Sequence, residues 1–132
     1  MTLGSVWAVV RYVPDVVAGE RVNIAVIAVS RDVPAIAVSR DVPSEARLRW
    51  TEATLARMKW LDPSPPIDAV VSLLGSIQDD IARGTFDVAA LERLAGEWNN
   101  MIQVSRPGPS TLSVDDTIER LVPLLFPGRE AP

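Results

Sequence analysis

Apolar, β-branched and aromatic residues crowd both faces of two early segments, Ser5–Val13 (SVWAVVRYV) and Arg21–Ser30 (RVNIAVIAVS). That pattern predicts central strands covered on both sides. Pro14 and Gly19 punctuate the stretch between them, so an antiparallel hairpin is the simplest pairing. Ala46–Trp50 (ARLRW) alternates instead. Ala46, Leu48 and Trp50 share one face and Arg47 and Arg49 the other, which predicts a half-exposed strand.

Helical spacing takes over beyond Trp50. Thr51 is a candidate N-cap, with Trp50 and Leu55 placed as a hydrophobic staple and Leu55, Met58 and Leu61 as the stripe. DPSPP (Asp62–Pro66) ends that helix. Ile67, Val70, Val71, Leu74, Ile77 and Ile81 form the face of a second helix, and Gly84 is its stop. Asp87 caps a third, carrying Leu91, Leu94, Ala95 and Trp98. NNMIQVS (Asn99–Ser105) reads as a strand and RPGPS as a loop. Ser113, with Asp116 three residues on, opens a last helix with the stripe Val114, Ile118, Leu121, Val122 and Leu125. Pro123 should kink or shorten it. The expected fold is α+β: one domain over residues 1–132, an antiparallel sheet of the hairpin strands plus one C-terminal strand, and three to four helices packed on one face. The tail 127–132 is expected to be loose.

One irregularity interrupts this pattern. IAVSRDVP runs from Ile27 to Pro34 and again from Ile36 to Pro43. With one copy removed, the chain reads strand, short turn, strand. The repeat therefore reads as a tandem duplication that inserts nine residues at a hairpin tip. Nine is odd, so the two copies would present opposite faces in one continuous strand. Two identical copies also offer two registers, which makes strand exchange between chains an open alternative to a passenger loop. Ile36, Val38 and Arg40, with Arg47 and Arg49, are the candidate interface of such a homodimer.

Composition narrows the chemistry. The chain lacks cysteine and histidine, which excludes nucleophilic triads and dyads built on them, and zinc sites of the usual ligands. Carboxylates, serines, arginines, Tyr12 and Lys59 remain; a Mg²⁺ site of carboxylates stays open. Asp79–Asp80 and Asp115–Asp116 are neighbours on helices, where adjacent side chains diverge, so capping and exposure explain them better than a metal. No metal or cofactor is expected. A net charge of −4 argues against nucleic acid as the default partner. The longest apolar runs are near strand length, and no basic leader precedes them. The expectation is a cytoplasmic protein without a membrane segment.

VVRYVPDVVAGERVNIAVI (Val9–Ile27) and NMIQVSRPGPSTLSVDDTIERLVPLLF (Asn100–Phe126) together resemble the bacterial family known as domain of unknown function 3037. The first carries the R-Y-x-P-D, G-E and V-N-x-x-V run, and the second N-x-x-Q, a proline loop and an acidic helix start. The nine extra residues depart from the family's short hairpin. The resemblance brings no established activity. It implies a small stand-alone protein, often encoded beside a HipA-like kinase, and hence an accessory or regulatory partner in a toxin–antitoxin or defence locus.

The residues themselves gather polar groups at one hairpin end: Arg11, Tyr12, Asp15, Glu20, Arg21 and Asn23. Arg11 has apolar neighbours and needs a partner, which Glu20 or Asn23 would supply. Asn100 and Gln103 join them as candidate binding residues from the last strand. The leading expectation is a non-enzymatic protein that binds another protein through its sheet edge or hairpin. Two alternatives stand beside it. One is a small enzyme or nucleotide-handling protein using Arg11, Asp15 and Glu20. The other is a nucleic-acid binder needing Arg47, Arg49 and Arg106 on one face. Removing Ala35–Pro43 should leave a folded chain with its thermal midpoint within a few degrees of the parent. Light scattering on both then reads the repeat's role: a dimer that becomes a monomer assigns it an interface.

Overall fold

The longest strands are the ones with apolar residues on both faces. β1 (Ser5–Asp15) pairs antiparallel with β2 (Glu20–Ser30). β3 (Ala46–Trp50) adds to the far edge of β2. β4 (Ile102–Val104) and β5 (Gly108–Ser110) both pair antiparallel with β1 on its other edge. The helices are α1 (Ile67–Ala82), α2 (Val88–Gly96) and α3 (Val114–Leu125), with a helical turn at 55–58. This computed structural model describes residues 4–15, 20–30, 45–50, 55–58, 67–96 and 102–126, and the side chains of 14, 15, 20 and 21 lie outside the description. Ile36, Val38, Arg40 and Asn100 fall outside it, as do Thr51, Trp60, Leu61, Trp98 and the tail 127–132. No helix among the described residues is long and apolar enough to cross a membrane.

The helices divide between the faces of the sheet rather than sharing one. Ala8, Val10, Tyr12, Ala25, Ile27 and Val29 point to a first face. There they meet Val70, Leu74 and Ile77 of α1 and Leu91 of α2, with Leu55, Met58 and Phe86. Val26 and Ala28 point to the second face, where α3 packs Val114, Ile118 and Val122 against them, with Phe126 beyond its end. A sheet apolar on both faces needs cover on both, and the last helix supplies the second. Each of those α3 side chains gains about 1.5–3 kcal/mol by leaving water.

Local signals set the helix ends. Asp87 Oδ1 accepts from Ala90 N at 2.8 Å and caps α2. Ser113 Oγ accepts from Asp116 N at 3.1 Å and caps α3. Gly84, at φ 74°, closes α1: its N–H donates to Ile81 O and that of Thr85 to Asp80 O, the paired bonds of a left-handed stop. Pro123 sits inside α3, which ends two residues later.

Three irregularities bend the ladder. Ile24 is unpaired between Asn23 and Ala25 while their partners Arg11 and Val10 are adjacent. The bulge reverses the alternation of β2, so Asn23 faces α3 instead of the first core. Val13 and Pro14 then stand against Arg21 alone, and the offset is undone before Asp15 meets Glu20. On the other edge, Ser105, Arg106 and Pro107 span two residues of β1, Ala8 and Val9. Ser105 bridges this gap: its N–H donates to Val9 O at 2.8 Å, and its Oγ accepts from Val9 N at 2.8 Å. The stretch RPGPS, expected as a loop, thus continues the strand as β5, with Pro107 at a bulge where its missing N–H costs no ladder bond.

Asn23 uses its reversed position to cap α3. Its Nδ2 donates to Leu125 O at 2.9 Å, and its Oδ1 accepts from Arg11 Nε at 3.4 Å. Replacing Asn23 by Ala should remove about 1 kcal/mol and lower the thermal midpoint by a few degrees. An unchanged midpoint in calorimetry would show that the end of α3 does not depend on this cap.

Candidate functional site

The second face carries the polar groups that the sheet does not use for its core. Arg11 stands between Asn23 on β2 and Gln103 on β4, so three of the expected site residues form one row across the strands. Tyr12 leaves that group. Its neighbour position turns it to the first face, where it is 0% exposed among core residues. Asp15, the last residue of β1, and Glu20, the first of β2, are register partners at the turn end of the hairpin, and Arg21 lies opposite Val13 and Pro14. Within the row, Arg11 and Asn23 are joined to each other and to the end of α3.

Arg47 and Arg49 are engaged as well. Arg47 Nε lies 3.3 Å from Asp115 Oδ1, and Arg49 Nη2 lies 3.3 Å from Glu119 Oε1. Two strand residues advance about 6.7 Å and four helical residues about 6 Å, so the pairs form matched rungs between β3 and α3. Both rungs are exposed and each is worth at most about 1 kcal/mol. Arg106 sits at the bulge on the opposite side of the sheet, across β2 and β1 from them. The three arginines therefore lie at opposite edges of the sheet.

A partly buried ring of hydroxyls fixes the start of α3. Ser5, wholly buried, donates from Oγ to Leu112 O at 3.0 Å. Ser5 Oγ lies 2.8 Å from Thr117 Oγ1, which lies 2.8 Å from Ser110 Oγ. Leu112 N donates to Ser110 Oγ at 3.0 Å. One proton arrangement satisfies all four contacts: Leu112 N–H to Ser110, Ser110 to Thr117, Thr117 to Ser5, and Ser5 to Leu112 O. Each hydroxyl then gives one bond and accepts one, and the circuit closes on a single residue. It ties β1, β5 and α3 together. Gly4 beside it, at φ 80°, approaches so closely that a Cβ would stand 2.5 Å from Ser110 O.

Over this ring opens a cleft of about 490 Å³, within the size of small-ligand and side-chain pockets. Trp7 forms one wall from β1, Pro109 and Ser110 contribute from β5, and Thr111 and Leu112 from the turn. Thr117, Arg120 and Leu121 line it from α3. Trp7 lies against Gly108: a Cβ there would be 3.3 Å from its Cε2. Arg120 is exposed, and neither it nor Asp116 one turn before it makes an ion pair among the described residues. Leu124, one turn on along the same side of α3, is 71% exposed.

None of the cleft's key residues stood among the sequence candidates. Thr117 was legible as a polar residue on the apolar stripe of α3, and Trp7 as one of four tryptophans. Arg120 had no signal, because only the packing of α3 on the second face brings it beside Trp7. Thr117→Val should break the ring, leave Ser5 and Ser110 short of partners, and cost about 1–3 kcal/mol. A urea midpoint equal to that of the parent would refute the closed circuit.

Residues 7–125 match the family model described as protein of unknown function (DUF3037). No curated protein and no solved structure is matched by the chain. The matched span runs from the wall of the cleft at Trp7 to the end of α3, and the chain belongs to the DUF3037 family.

Proposed function

We propose that this is a non-catalytic accessory protein that acts by binding a protein partner through the surface where α3 borders the cleft. The observation that carries this reading is the composition of that surface. Trp7, Leu121 and Leu124 supply apolar area and Arg120 a cation with no ion pair among the described residues, the residue types that concentrate binding energy in protein interfaces. The helix surface is favoured over the sheet edge formed by β4 and β5. That edge is short, bulged and carries Pro107 and Pro109, features that discourage strand addition. Arg47 and Arg49 being paired, and apart from Arg106, favours a protein over a nucleic acid.

The first partner to test is a HipA-like kinase, since the family resemblance implies a protein often encoded beside one; the short apolar runs favour the cytoplasm as the place of encounter. Leu124→Asp changes an exposed side chain and should leave the fold intact. Coexpressed with the kinase, this variant should bind at least about tenfold more weakly than the parent in titration calorimetry, a loss of about 1.4 kcal/mol or more. Equal affinity of parent and variant would move the interface away from α3.

A further inference from the structure

We infer that the Trp7–Arg120 cleft accepts an acidic segment of the partner, taking one apolar side chain together with a neighbouring carboxylate. This rests on the protein-binding reading above and names what is bound. The cleft divides by chemistry. Trp7 and Leu121 both pack against the second core cluster and offer an apolar pocket wall. Arg120 supplies positive charge at the same cleft, with Thr111 beside it as an exposed hydroxyl.

The charge pattern around Arg120 selects the occupant. The chain carries a net charge of −4, and two cations on the neighbouring strand already hold acidic residues of α3. Arg120 belongs to the same helix and holds none of its carboxylates, although Asp116 stands one turn away. An incoming carboxylate would gain a charge-assisted bond there without displacing an internal pair. A polyanion would need a track of several cations, which this cleft does not offer. A bare phosphate would leave the apolar wall unused. The volume suits one large side chain and its flanking backbone, and Leu124 continues the contact surface beyond the cleft.

The test uses the full chain and two peptides, acetyl-Ala-Asp-Phe-Ala-amide and its Asn counterpart, titrated into isotopically labelled protein. The Asp peptide should shift the Trp7 indole N–H and the Arg120 signals and bind about tenfold tighter than the Asn peptide. Arg120→Gln, at an exposed position, should erase the preference. Arg120→Glu should transfer it to a Lys peptide. Equal binding of the Asp and Asn peptides, no binding, or shifts confined to other surfaces would overturn the inference. If the peptides fail while Leu124→Asp still weakens association with the partner, the protein-binding reading stands and only the assigned occupant falls.

Discussion

β1 is paired along both edges and covered on both faces, and the rest of the molecule is arranged around that requirement. A strand with apolar side chains on both faces cannot face water on either, so its neighbours and its two layers of helix are forced together. β2 completes one edge, and the interrupted pair β4–β5 completes the other. The first layer is built from α1 and α2, close in sequence. The second needs α3, which returns from the far end of the chain to reach Val26 and Ala28. Long-range contacts of this kind make the N-terminal hairpin and the C-terminal helix one cooperative unit.

What holds α3 in place differs along its length. Apolar burial fixes its distance from the sheet, and polar contacts fix its position along it. The hydroxyl ring anchors the N-terminal end, the two arginine rungs flank it, and Asn23 closes the C-terminal end. The rungs are weak because water competes for them. The ring is closed around the buried Ser5 and Thr117, so loss of one member leaves the others short of a partner where water is scarce.

The sequence was legible where a rule is local. The alternation of Ala46–Trp50, the caps at Asp87 and Ser113 and the stop at Gly84 appear where the residues predict them. The sheet class followed from the early strands. Two kinds of feature were not legible. Bulges reverse which face a side chain takes, and nothing in VNIAV marks Ile24 as the extra residue; Asn23 could be named as Arg11's partner, but not as the cap of α3. The side of the sheet that α3 occupies depends on the layer already formed by α1 and α2. The cleft exists only once that choice is made, so Trp7 and Arg120 could not be joined in advance. The proline and glycine of RPGPS read as a break because composition records missing donors, while Ser105 replaces one ladder acceptor with a side chain.

Gly108 is not among the residues lining the cleft, yet it lies directly behind the cleft's Trp7 wall. The indole of Trp7 rests on the bare backbone at that position, and a Cβ would stand within 3.3–3.4 Å of three of its atoms. A side chain there would require the ring to give by a few tenths of an ångström. The position of that wall is therefore set from behind, by a residue outside the cleft's own lining. A chain with every lining residue unchanged but a larger residue at position 108 would hold this wall differently.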